Sequence, residues 1–295
     1  MLASTISPGP QARELAARLG LHRSGREWRG TCPLCSYPGD PFSLTETGGR
    51  MLAWCAACQD RAGIGALLRG AGALPDRPNP ARAAEGERDR RAKAERARDR
   101  ALALWRGAEP VPGTPAATYL HARGIGGIAT SSALLFRGDT PHPAGGRLPA
   151  LLALVTAPDG MQAGIHRTYL RRDGAGKADV TPAKAALGPI WAGAIRLVEA
   201  STALVVGEGI ETAAAAGLLV GLPAWAAISA GNLARALVLP EVVQDVTIAV
   251  DRDAPGEAAA CAAAARWRAE GRGVRFLVPD RAGTDAADLV EVRHG

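Results

Sequence analysis

Hydrophobic positions recur along this chain with two different spacings, and the changes of spacing divide it. Residues 10–20 place Leu15 and Leu19 on one helical face and stop at Gly20, which predicts a short amphipathic helix. Trp28 to Leu68 is irregular and cysteine-bearing, and the Pro-rich stretch from Leu74 to Pro80 closes this first part. From Ala81 to Trp105 arginines and lysine mix with Glu85, Glu87, Asp89, Glu95 and Asp99, the pattern of a solvated helical linker. Leu102, Leu104 and Trp105 predict that its end docks onto the next domain.

The next stretch reads as mixed α/β. Ala116 to Arg123 is predicted helical, while Leu151 to Thr156 and Gln162 to Tyr169 read as strands around a Pro158-Asp159-Gly160 turn. The last third alternates. Strands are predicted at Ala203–Val206, Trp225–Ile228, Val246–Val250 and Val274–Val278, with helices at Glu211–Leu219 and Gly256–Ala269. Short apolar strands alternating with helices indicate a parallel sheet covered by helices. The expected division is 1–73, 74–105, 106–198 and 199–295, with an α/β fold class overall.

Composition changes this picture little. Of 295 residues 47% are hydrophobic and 22% charged, as in a folded soluble chain, and with 4% aromatics the cores must be built from Ala, Leu and Val. Lys and Arg total 35 against 29 Asp and Glu, a formal charge of +6 that suits a polyanion partner and that a salt-laced surface would give equally. Met1 to Gln11 lacks a basic-then-apolar signal pattern. The longest apolar stretches, such as Thr212 to Leu222, are shorter than the roughly 20 residues of a membrane span, so a cytoplasmic protein with no membrane partner is expected.

Cysteine usage adds the first chemistry. Cys32-Pro-Leu-Cys35 and Cys55-Ala-Ala-Cys58 are two C-x₂-C pairs separated by 19 residues. Each pair supplies two thiolates from one tight turn, and two such turns close a tetrahedron around structural Zn²⁺, with iron as the other metal for this ligand set. Phe42 and Leu44, then Met51, Leu52 and Trp54, flank Gly48-Gly49 and predict a β-ribbon carrying the pairs. Trp28, Arg29, Arg50, Trp54 and Arg61 offer a stacking and phosphate-binding face; the tryptophans equally suit packing of a small core. Cys261, in an alanine-rich helical run, reads as a packed small side chain.

Carboxylates supply the second. Glu208 directly follows the strand ending Val205-Val206-Gly207, and Asp251-Arg252-Asp253 directly follows Val246–Val250. In an open parallel sheet the carboxyl ends of strands line the ligand crevice, and residues i and i+2 share a direction in extended backbone. Glu208, Asp251 and Asp253 are therefore candidates for a Mg²⁺ site, with polar strand-end turns as the other reading. Asp280, Asp285 and Asp288 form a second acidic cluster able to complete the shell. Upstream, Arg167, Arg171, Arg172, Lys177 and Lys184 lie within 18 residues holding only Asp173 and Asp179 as acids, a candidate nucleic-acid or triphosphate surface.

Taken in order, these pieces resemble the Toprim primases of bacteria and phages, especially the compact plasmid- and phage-type proteins. Glu208 in VVGEGIETA matches the single Toprim glutamate, and Asp251 and Asp253 in TIAVDRDAPG match its Asp-x-Asp. GTDAADLV is similar to a degenerate Gly-Lys-Asp-x-Asn-Asp segment, with Thr284 and Ala287 at the altered positions and Asp285 and Asp288 keeping the acidic ones. HRTYLRRDGAGKADVTPAKAALGPI resembles the basic region that precedes Toprim. The resemblance implies a zinc ribbon, a basic mixed α/β domain and a Toprim parallel sheet flanked by helices.

It also implies an activity: synthesis of short RNA primers on single-stranded DNA from nucleoside triphosphates, with Mg²⁺ or Mn²⁺ at Glu208, Asp251, Asp253, Asp285 and Asp288. Trp28 and Trp54 of the ribbon, with Arg167, Arg171, Arg172, Lys177 and Lys184, would face template or nucleotide. The sequence contains no Gly-Lys-Ser/Thr phosphate loop, so unwinding is expected from a separate replicative helicase. A Toprim nuclease and a non-catalytic single-stranded DNA-binding module are the alternatives, separable by assaying primer synthesis against strand cleavage.

Overall fold

A computed structural model describes residues 10–36, 39–47, 50–56, 60–73 and 80–279; Cys58, Asp280, Asp285 and Asp288 lie outside the described residues. The chain divides into two units, Met1–Glu87 and Arg88–Gly295.

In the first unit, helix α1 (Pro10–Arg18) precedes an antiparallel meander of β1 (His22–Ser24), β2 (Glu27–Gly30), β3 (Phe42–Thr47) and β4 (Arg50–Cys55), followed by α2 (Arg61–Gly70). Strand alternation decides the core. Phe42 and Leu44 of β3 and Met51 and Cys55 of β4 point inward and meet Leu15, Ile64 and Leu68, while Leu52 and Trp54 point out. Helix α2, absent from the sequence reading, starts where Asp60 Oδ1 accepts the Gly63 N–H at 2.8 Å.

Helix α3 (Pro80–Arg106) is the charged helix foreseen at 81–105 and runs into the second unit. Its last turns do dock: Ala101 and Trp105 are buried with Ala150, Leu152, Ile165 and Tyr169. The sheet they cover is antiparallel, in the order β5 (Glu109–Pro110), β6 (Leu134–Pro141), β7 (Arg147–Thr156), β8 (Gln162–Tyr169), β9 (Lys184–Leu187). Helix α4 (Pro115–Ala122) packs on its other side, begun by Thr114, whose hydroxyl accepts the Ala116 N–H, and by Pro115 in the first turn.

The C-terminal sheet has the expected parallel architecture. β11 (Ala203–Gly207), α5 (Ile210–Val220), β12 (Ala224–Ala226), α6 (Ala230–Arg235), β13 (Asp245–Ala249), α7 (Ala254–Ala269) and β14 (Gly273–Leu277) follow β10 (Ile195–Arg196). The strand order is β10-β12-β11-β13-β14, parallel except for β10. Val205 points to the core beneath α5; Leu204 and Val206 point to the other face, packed with Trp225, Ile248, Ala260, Ala263 and Trp267 of that layer. A Cβ on Gly207 would lie 2.9 Å from the Ala213 backbone nitrogen. Glycine thus lets α5 close onto the end of β11, and overpacking there would cost about 1–3 kcal/mol.

The two sheets of this unit share one core. Tyr119, Leu120, Ile125, Leu151 and Val155 of the antiparallel half pack with Val205, Ile210, Ala213, Ala214 and Ala226 of the parallel half. No helix among the described residues is long and apolar enough to cross a membrane.

Candidate active site and cysteine cluster

The ligand atoms of Cys32, Cys35 and Cys55 all lie within 4.8 Å of one another, the one such group of three among the described residues. Cys35 Sγ and Cys55 Sγ are 3.9 Å apart. Zn–S bonds of about 2.3 Å in a tetrahedron set sulfurs roughly 3.8 Å apart, so the spacing is that of a tetrahedron edge. Burial pushes the Cys32 thiol up, and the backbone N–H groups of Cys35 and Leu34 pull it back by pointing at the sulfur. Ser36, at φ 54°, donates its N–H to Cys32 O at 2.9 Å and closes the turn. The donor set fits a thiophilic metal.

The two tryptophans of this unit part company. Trp28 is half-buried against the core, whereas Trp54 is 36% exposed with the Arg61 guanidinium 5.5 Å from its ring centre. Cys261, expected to be packed, is exposed on α7, because its face of the helix turns away from the Ala260 and Ala263 contact with the sheet.

The acidic residues stand at the ends of neighbouring strands. β11 and β13 pair in parallel register, Gly207 opposite Ala249, so Glu208 and Asp251 leave the sheet at the same edge. Both line a cavity of about 160 Å³. Burial, then the charge of Asp251, raises the Glu208 carboxyl above its ordinary value; Asp253 adds to the rise and the Ala230 N–H opposes it. Asp251 Oδ1 accepts a hydrogen bond from Thr212 Oγ1 at 3.0 Å. Asp253 is different: exposed, it caps α7 by accepting the Gly256 N–H at 2.7 Å and is not part of the cavity wall. The three carboxylates are thus close enough to feel one another but looser than the cysteine group.

The same cavity is also lined by Lys177, Lys184, Arg123 and His166. Both lysines reach Glu211, read from the sequence only as the start of a helix, at 3.3 Å and 2.9 Å, and Tyr119 Oη donates to it at 2.6 Å. Burial alone would raise the Glu211 carboxyl, but the Lys184 and Lys177 charges and the Tyr119 hydroxyl hold it well below the carboxylate range. His166 is driven the other way. Burial and the Lys184 charge lower its imidazole to about 4, and its Nδ1 is buried with no hydrogen-bond partner among the described residues.

The remaining basic residues do not join them. Strand β8 alternates, so His166 and Thr168 face the cavity side with Lys184, which pairs with Thr168, while Arg167 faces the α3 side. There Arg167 is 6% exposed and its guanidinium donates to the carbonyls of Ala185, Pro141 and Ala186. Arg167 therefore ties strands together instead of lining the expected polyanion surface. Arg171 and Arg172 are exposed, Arg171 pairing with Asp173 at 3.1 Å.

Comparison with known families divides the chain close to the boundary between the two sheets, with β10 of the second sheet falling in the first match. Residues 95–197 match a family described as Domain of unknown function (DUF7146), and residues 203–294 match the Toprim domain. Among solved structures, the zinc-binding and RNA polymerase domains of the Aquifex aeolicus primase are 15% identical, with a TM-score of 0.47 over 96% of this chain and 79% of that one. The primase fragment of the bacteriophage T7 primase-helicase protein is 14% identical, with a TM-score of 0.42 over 91% and 95%. The DnaG catalytic core is 18% identical, with a TM-score of 0.45 over 68% and 75%. A search of curated proteins found no match. The Toprim match, residues 203–294, falls on the parallel sheet whose strand ends carry Glu208, Asp251 and Asp253.

Proposed function

We propose that the chain is a DNA primase, joining ribonucleotides into short RNA primers on single-stranded DNA with Mg²⁺ or Mn²⁺ at the Toprim carboxylates. One observation supports this most: Glu208 and Asp251 share a single cavity with Lys177 and Lys184. Carboxylates and ammonium groups in one cavity are what a phosphate bridged to a hard cation requires.

The carboxylate set fits such a cation, since the Glu208 carboxyl is raised partly by Asp251 and Asp253, a repulsion that a divalent ion relieves. Glu208, Asp251 and Asp253, with Asp285 and Asp288 of the C-terminal segment, would hold Mg²⁺, which when bound supplies neutralisation of phosphate charge and orientation of the attacking and leaving oxygens. Lys177 and Lys184 would hold the triphosphate. Thr212 fixes the Asp251 carboxylate, and Glu208, kept more basic than an ordinary glutamate, is suited to metal ligation or to accepting the attacking hydroxyl's proton.

In the first unit Cys32, Cys35, Cys55 and Cys58 would hold structural Zn²⁺, and exposed Trp54 with Arg61 would stack on template bases. Arg171 and Arg172 are open to template contacts. A separate helicase would supply unwinding, in the cytoplasm. The deciding experiment incubates the full chain with labelled ribonucleotides, single-stranded DNA and Mg²⁺ beside an Asp251→Ala control. Primer-length products that vanish in the control support the reading; strand cleavage without incorporation replaces it with a nuclease, and DNA binding without either leaves a binding module.

A further inference from the structure

Glu211 lies three residues beyond Glu208 and lines the same cavity, yet its surroundings differ from those of a metal ligand. Its side chain is 6% exposed. Oε1 accepts from Tyr119 Oη at 2.6 Å and pairs with Lys177 Nζ at 3.3 Å, and Oε2 accepts from Lys184 Nζ at 2.9 Å. A carboxylate offers about four lone-pair positions, so three donors nearly saturate it.

The donors come from separate places. Tyr119 lies on α4, Lys177 in the loop after β8, Lys184 at the start of β9, and Glu211 in the first turn of α5. One buried carboxylate therefore joins the antiparallel half to the helix that begins beside Glu208. Each ammonium carries three N–H donors, and the bond to Glu211 uses one of them, leaving the others for an incoming anion. The lysine side chains, 37% and 35% exposed, are half-open while the acid beneath them is closed off. Two ammoniums this near each other repel, and the shared carboxylate makes their closeness tolerable.

We infer that Glu211 is a positioning residue: it sets Lys177 and Lys184 side by side as a phosphate-binding pair in the cavity of Glu208 and Asp251. The inference rests on the proposed phosphoryl-transfer site and names how its basic part is built. A purely structural strut would change stability alone; a positioning residue changes anion affinity through the lysines.

The test uses the full chain and inorganic triphosphate in Mg²⁺ buffer, with affinity read by calorimetry and folding by thermal melts. Glu211→Gln keeps the shape and removes the charge, and should weaken binding about tenfold. In a Lys184→Gln background the same change should add only about threefold, because one of its two links is already gone. Glu211→Asp keeps the charge and shortens the reach; it carries the comparison should Glu211→Gln fail to fold, with binding roughly threefold weaker. Unchanged or tighter binding in Glu211→Gln, a full tenfold effect retained beside Lys184→Gln, or wild-type affinity in Glu211→Asp would overturn the inference. Wild-type chain that does not bind triphosphate overturns it too, while leaving Asp251-dependent primer synthesis standing. Tight triphosphate binding without primer synthesis removes the primase reading and leaves the role of Glu211 intact.

Discussion

The hydroxyl of Thr212 donates to Asp251 Oδ1 at 3.0 Å, so the first turn of α5 reaches across to a residue two positions past the end of β13. Thr212 is itself 3% exposed and lines the same cavity as Asp251, which makes the bond a fixed feature of the strand ends. Next to it stands Glu208, whose carboxyl is raised by burial and by the charge of Asp251.

Replacing Asp251 with Asn keeps the shape and removes the charge. Synthesis should fall by about 10² or more, the size of effect seen when a group that stabilises developing charge is lost. The fold should survive, and thermal melts in metal-free buffer should show equal or greater stability because the repulsion on Glu208 is relieved. Wild-type synthesis in this variant would reduce the carboxylates to ordinary strand-end polar groups.

The basic residues should separate into two classes. The Lys177→Glu, Lys184→Glu pair should weaken single-stranded DNA or triphosphate binding and flatten its dependence on salt. Arg167→Leu should instead leave the salt slope alone and lower stability by about 3 kcal/mol, since the carbonyls of Ala185, Pro141 and Ala186 lose their donor in a buried place. Urea unfolding beside a binding isotherm checks both, and a changed salt slope in Arg167→Leu would reverse the assignment.

Purified chain should carry one tightly bound zinc ion, measured by elemental analysis. Cys32→Ser, or a strong chelator, should open the first unit to proteolysis while residues 88–295 stay protected, because the divisions of the chain give each unit its own core. Absence of any thiophilic metal in the native protein would refute the site.

His166 gives a pH signature. Its imidazole is lowered from 6.5 to about 4, so between those values the folded chain binds fewer protons than the unfolded chain. The contribution to stability is complete above pH 6.5 and is lost as pH falls toward 4, a swing of roughly 3 kcal/mol. Glu211, also held low, pushes the same way at more acidic pH, so the comparison must be with His166→Asn. That variant should show a flatter stability profile from pH 6.5 to 4, and an unchanged slope would mean that the imidazole is not held neutral.

How much of this was legible depended on which neighbour set each residue's role. The strands ending at Gly207 and Ala249 are apolar runs flanked by breaks, and a parallel sheet sends the residues just past them to one edge, so Glu208 and Asp251 could be read directly. Arg167 could not. Strand periodicity gives it a face but not what covers that face, and here the end of α3 does, through Ala101 and Trp105. Asp253 was read together with Asp251 from extended backbone, which it has, but its second task, capping α7, depends on the helix that follows and was not read. Glu211 looked like any acid in a helix's first turn; its lysines lie 34 and 27 positions away, beyond local pattern. The alternation of Thr168 with Arg167 was the one usable hint that Lys184 and Arg167 face opposite ways.

The core common to the two sheets bears on how the chain can be cut and recombined. Ala213, Ala214, Ala215 and Ala216 of α5 are all buried, partly beneath Tyr119, Leu120 and Ile125, so a fragment starting at residue 199 would present that alanine surface to water. A portable piece that keeps this core intact consequently begins within α3, near Arg88, and grafts that exchange the parallel sheet alone would join surfaces that had never been fitted to each other.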